Sequence, residues 1–284
     1  PGPIHQKLME LFRTFLVVGG MPEAVAAWQR RRHFQDAEEV KHSILSTFRD
    51  DFGKYAGRVP HDRIRTVFTR LPALVGTDFK YVHVSRDEPA RAISRVLDLL
   101  CMARVAHRVR HSASNGIPLG AEVKETVFKV LFLDVGLVST ALGLSLLDLE
   151  RAENLLLVNS GALCEQVVGQ HLLYSQPLFQ EPLLFFWTRQ TRGSSAEVDY
   201  VISEGPDVVP VEVKAGRTGR LKSLHSFLRE KGRPLGVRFN SDRPSLLEAR
   251  TSLADGRSNV PFTLLSLPLY MVGQTRRLVR EVMI

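Results

Sequence analysis

The stretch "AEVDYVISEGPDVVPVEVKAG", residues 196–216, sets acidic side chains and a lysine inside apolar, β-branched runs. Charge without a partner is costly in such surroundings. One reading is that these charges hold a divalent metal. The competing reading is an amphipathic hairpin with its charges on the wet face, in which Glu212 and Lys214 form a structural ion pair. In a strand, Glu212 and Lys214 are two apart and leave on the same face. An acid-x-lysine tripeptide is itself common, with roughly one match expected by chance. This chain has four: Glu39-Val40-Lys41, Asp78-Phe79-Lys80, Glu122-Val123-Lys124 and Glu212-Val213-Lys214. The first falls within a long amphipathic helix and reads as a solvated face; the second and third lie in polar connecting segments. Only the fourth sits in a valine-rich strand, thirteen residues after Asp199, which is hairpin length. Upstream, Glu165 is a lone glutamate among apolar neighbours in the helical stretch "SGALCEQVVGQHLL".

The elements that must position these groups divide the chain into two textures. Residues 4 to about 100 carry apolar positions at helical spacing. "IHQKLMELFRTFLVVGG" ends in a Gly-Gly stop, and "MPEAVAAWQRRR" restarts on Pro22. "FQDAEEVKHSILSTFRDDFGKYA", "HDRIRTVFTRLPALVG" and "DEPARAISRVLDLLCMA" follow as helices, the last opened by Asp87. The period then drops to two in "ARVAHRVRHS" and a buried strand "VFKVLFLDVGL". Helices followed by a two-stranded hairpin suggest a winged-helix-like module. Arg104, Arg108 and Arg110 share one face of its first strand and suit either solvent or a phosphate. From residue 146 the texture is α/β: a long helix "ENLLLVNSGALCEQVVGQHLLYS", strands "PLLFFWT", "AEVDYVIS" and "DVVPVEVKA", a helix "GRLKSLHSFLREKG" and a strand "PLGVRFN". The expected domains are therefore 1–145, helical and winged-helix-like, and 146–284, α/β.

The composition is that of an ordinary globular chain, with 44% hydrophobic and 24% charged residues. No apolar run approaches the roughly 18 residues of a membrane span, and no signal peptide is visible, so we expect no membrane partner and a cytoplasmic location. Cys101 and Cys164 both lie in apolar surroundings, which favours buried thiols in a reducing compartment. The net charge of +8 rests on 29 arginines against 9 lysines. Arginine forks suit phosphates, and a pI near 9.8 points weakly to nucleic acid.

The order Glu165, Asp199, Glu212-Val213-Lys214 resembles the PD-(D/E)xK nuclease superfamily. Five phrases, "GGMPEAV", "LFLDVGLVSTALG", "GALCEQVVGQHL", "FFWTRQTRGSSAEVDYVI" and "VPVEVKAG", resemble in order those of the uncharacterised C-terminal region of prokaryotic AAA-type ATPases. The likeness runs from about residue 10 to residue 240. It implies a restriction-endonuclease-like α/β domain with a central mixed sheet. It also implies Mg²⁺ or Mn²⁺ held by Asp199, Glu212 and the Val213 carbonyl, with Glu165 completing the site from its helix. Lys214 would orient or deprotonate the attacking water, and Arg189 and Tyr200 are neighbours that could touch a phosphate. Two departures stand out: Val198 replaces the proline before Asp199, and Glu197 lies on the same face and could substitute for Asp199. In that family an ATPase domain precedes the region, but no G-x-x-x-x-G-K-[ST] occurs here, so this chain carries no ATP site. The opening Pro1-Gly2-Pro3 leads us to expect that the natural protein begins earlier. The resemblance implies a metal-dependent endonuclease acting on DNA, or a catalytically silent module that couples an ATPase to nucleic acid or protein. "GGMPEAV" reads as a Gly-Gly turn into a proline-started helix, rather than as a contact with the ATPase domain.

Overall fold

The computed structural model describes residues 2–55, 59–144, 160–177, 179–191, 194–216, 221–251 and 260–283. The expected domain boundary at 145/146 meets residues 145–159, outside the described residues. Two compact units are formed. The first takes in Pro1–Met9, Val109–Phe128 and Val168–Ile284; the second comprises Glu10–Arg108 and Lys129–Val167.

The second unit is mostly helical. α1 (Pro3–Val18), whose last two turns lie here, gives way at Gly19, where φ is +75°. α2 (Pro22–Arg31), α3 (Phe34–Tyr55) and α4 (His61–Arg70) follow where the 3.6-residue period predicts them. A short helix α5 (Tyr81–Val84) precedes α6 (Ala90–Met102). Pro89, not Asp87, stands at the N-cap of α6, and no side chain caps it; proline fits there because it removes only an N–H that a helix start leaves unsatisfied. Ile93, Val96, Leu97 and Leu100 form its buried stripe.

The first unit is built on an eight-stranded mixed sheet in the order β2-β1-β3-β4-β5-β6-β8-β7. Its strands are β1 (Ala106–Ser112), β2 (Val123–Phe132), β3 (Leu184–Thr191), β4 (Ser194–Glu204), β5 (Asp207–Val213), β6 (Leu235–Asn240), β7 (Ser245–Arg250) and β8 (Pro261–Pro268). β3, β4 and β5 form an antiparallel meander; β5, β6 and β8 run parallel. The expected winged hairpin is not a free-standing wing, because β1 pairs in parallel with β3 and so continues this sheet. A sheet edge offers unpaired backbone groups, and β3 takes up that edge of β1. The expected strand "VFKVLFLDVGL" stops at Phe132, since Asp134 caps a new helix, α7 (Val135–Ala141), by accepting from the Gly136 and Leu137 amides. α8 (Ser160–Tyr174) and α9 (Lys222–Lys231) occupy the expected helical stretches; the earlier part of the first stretch lies outside the described residues. α9 is the crossover between parallel β5 and β6, with Leu224, Phe227 and Leu228 buried and Gly232 ending it at φ +60°. Phe227 meets Trp187 edge-on at 5.2 Å, within a cluster that includes Val198, Val201 and Val208. β7, β8 and the C-terminal helix α10 (Thr275–Met283) complete the chain. Among the described residues no helix is long and apolar enough to cross a membrane. Neither cysteine is in a disulfide; Cys101 is only half-buried, whereas burial pushes the Cys164 thiol up to about 12.

His107 on β1 is 6% exposed, and burial, aided by the Arg104 guanidinium, holds its pKa down at about 4. The folded state therefore refuses a proton that the unfolded chain accepts near pH 6.5. Stability from this group is full above pH 6.5 and is lost as pH falls toward 4, by about 3 kcal/mol in all. We expect urea midpoints to drop across that window, and to drop less in His107→Leu. A parallel decline in both proteins would assign the loss to other groups.

Candidate functional site

The site residues begin with a break in the sheet. Along β3 and β4, Phe185 faces Val201 but Trp187 faces Val198, so Asp199 and Tyr200 together stand against Phe186 alone. Such a bulge bends the strand and re-aims its side chains. On the other side of β4, Tyr200 faces Val211, and continuing that register by one residue sets Asp199 opposite Glu212. There the backbone ladder stops and a side chain takes over: the Val213 amide donates to Asp199 Oδ2 at 2.7 Å. β5 meanwhile stays joined to β6 through Glu212–Arg238 and Val213–Phe239, and the Lys214 amide donates to the Phe239 carbonyl at 2.8 Å. β4 and β5 thus part company at Asp199, while β5 and β6 do not.

Facing residues on adjacent strands share a sheet face, which brings Asp199, Glu212 and Lys214 together. Glu212 is 4% exposed, and its Oε1 lies 2.6 Å from Lys214 Nζ. A buried carboxylate needs such compensation. The lysine itself keeps 30% of its side chain exposed beside a buried partner. The donor set, two carboxylates and a main-chain carbonyl on one strand pair, fits a hard divalent cation. Among the described residues no group of three or more His, Cys, Asp and Glu lies together in a metal-holding arrangement.

The remaining expected residues have surroundings of their own. Glu165 belongs to the helical unit, where its carboxylate lies 3.5 Å from Lys129 Nζ beside Gly76. Arg189 donates to Glu230 at 2.9 Å, and Tyr200 is a buried ring at 2% exposure. The Glu197 amide donates to Ser223 Oγ. Arg108 donates to Asp98 at 2.6 Å, Arg110 is half-buried on β1, and Arg104 precedes the strand at φ +59°.

Three residues with structural roles escaped the sequence reading. Lys41, expected on a solvated face, is fully buried: it donates to the Val17 carbonyl at 2.7 Å and to Glu38 at 2.6 Å. Burial lowers its pKa, with the Glu38 hydrogen bond opposing. Asp134, 3% exposed, accepts from the Gly20 amide at 2.8 Å while capping α7. Ser139 donates to the Leu16 carbonyl at 2.6 Å. Together these side chains satisfy the groups that the end of α1 leaves open. "GGMPEAV" and "LFLDVGLV" are therefore two halves of one junction, and an aspartate before a fresh apolar helix was the signal that could have revealed it.

Residues 9–148 match the family model of a domain of unknown function, DUF8612, and residues 160–258 match that of a second, DUF4143. No curated protein and no solved structure matches the chain. The chain is thus similar, over its two halves, to two distinct domain families.

Proposed function

We propose that the α/β part of this chain is a PD-(D/E)xK-like nuclease domain that binds Mg²⁺ or Mn²⁺ and hydrolyses phosphodiester bonds in DNA. The observation that carries the reading is the parting of β4 and β5 at Asp199, with the Glu212–Lys214 pair on the facing strand. A bound divalent cation would supply charge for the phosphate and acidify a water. Asp199, Glu212 and the Val213 carbonyl would hold it. Lys214, its side chain partly exposed, would orient the attacking water and offset phosphate charge. Glu212, held against the lysine, keeps the ammonium in place. The helical part would grip the nucleic acid.

A second reading has an observation of its own. Asp199 already stitches the Val213 amide, and Glu212 already satisfies Lys214, which is how a binding module coupled to an ATPase could use the same residues without cleaving. Calorimetric titration with MnCl₂ separates the two. Wild-type protein should bind Mn²⁺, and Asp199→Asn should lose at least about tenfold in affinity, because an amide is a poorer ligand without the charge. Equal weak binding by both proteins would remove the cation site and leave the module.

A further inference from the structure

We propose that a pocket between α4 and α6 in the helical unit binds the phosphates of a nucleic-acid backbone. Val59, Arg63, Pro89, Arg91, Ala92 and Arg95 line a cavity of about 380 Å³. No carboxylate is among these lining residues. Arg63 is anchored from behind, its Nε and one terminal nitrogen each 2.9 Å from Glu88 Oε2, so its guanidinium is held rather than free to swing. Arg91 and Arg95 stand one helical turn apart, about 6 Å along the axis, and both are exposed. Among the described residues neither of them meets a carboxylate. The pocket therefore carries two uncompensated guanidinium charges beside a third that Glu88 positions.

Three further features favour phosphate. The first turn of the 13-residue helix α6 forms one wall, with no side chain capping it, so the positive end of its dipole adds to the arginines. Arg63, Arg91 and Arg95 supply half of the lining residues, so the wall offers guanidinium donors to an anion. Guanidinium forks one turn apart suit consecutive phosphates of a strand better than a single small anion. Two of the arginines picked out by the sequence are less available, since Arg108 and Arg189 are spent on Asp98 and Glu230. The pocket shares no residue with the Asp199 cluster and does not rest on the reading of that cluster.

The test is fluorescence anisotropy with labelled duplex and single-stranded oligonucleotides, in EDTA, from about 50 to 200 mM salt. Pyrophosphate is titrated separately. Each phosphate contact contributes about 0.9 to the slope of log affinity against log salt on duplex, and about 0.7 on single strands. The double variant Arg91→Ala/Arg95→Ala should lower that slope by about 1.4 to 1.8 and weaken binding about tenfold or more at the lowest salt. Both residues are exposed, so the variant should fold. Arg30→Ala/Arg31→Ala, which removes the same charge from the exposed end of α2, should change the slope less. Equal losses from the two pairs would mean diffuse attraction and overturn the site. Pyrophosphate binding that depends on Arg91 and Arg95, without DNA binding, would overturn the nucleic-acid assignment in favour of a free phosphate ligand. Because no divalent metal is present, failure here says nothing about Asp199.

Discussion

Lys214→Ala is expected to reduce Mg²⁺-dependent nicking of plasmid DNA by about a hundred- to a thousandfold, the usual cost of losing a proton-transfer or charge-stabilising group. Lys214 follows the point where β4 and β5 part, and its ammonium is held by Glu212 on a side chain that stays partly exposed. A stability effect accompanies it. Removing the lysine leaves a 5%-exposed Glu212 side chain without its counter-ion. A fully buried pair would lose about 3 kcal/mol, and the lysine's exposure brings this nearer to about 1 to 2. Lys214→Met combined with Glu212→Gln separates the two effects, because it removes both charges at similar volume. The nuclease reading, which needs both the lysine and the Glu212 ligand, predicts that this double variant melts close to wild type and still does not nick. Wild-type protein that never nicks any DNA offered, beside a Lys214→Ala variant that merely melts earlier, would sink the enzymatic reading.

Gly136→Ala is expected to be strongly destabilising in the helical unit. A Cβ at this position would lie 2.6 Å from the Val18 carbonyl oxygen and 2.7 Å from the Gly19 backbone. These neighbours are main chain and cannot swing aside, so either α7 or the end of α1 must move. Forced overpacking costs about 1 to 3 kcal/mol, and displacing the Asp134 cap adds about 0.5 to 2 more. A total near 3 kcal/mol would lower the melting temperature by roughly 6 to 12 °C in a chain of this size. Gly161→Ala is the matched control, since a Cβ there meets nothing within 4 Å. Similar melting of the two variants would show that the close approach of Gly19 and Gly136 is not a constraint on stability.

Amphipathic period and breaker residues placed α1 to α4, α6, β3 to β6 and α9 from sequence alone, because helices and strands of an ordinary core declare themselves in local patterning. The pairing of Asp199 with the Glu212–Lys214 strand was legible for the same reason: a thirteen-residue gap and a two-residue period leave few alternatives for a hairpin. Other features depended on contacts distant in sequence. Glu39-Val40-Lys41 reads as a solvated face by period, yet Lys41 is buried because the Val17 carbonyl, 24 residues away, lacks a helical partner and takes its proton donor. The hairpin after α6 looks like a wing until β3, some seventy residues later, pairs with it. Arginines that look equivalent in a composition differ in charge available to a ligand, because Asp98 and Glu230 neutralise Arg108 and Arg189 while Arg91 and Arg95 meet no acid among the described residues. Local pattern determined which segments are helix or strand and which acidic residues face one another. Tertiary structure alone decided which charges are already compensated, since compensation depends on a partner the sequence does not place nearby.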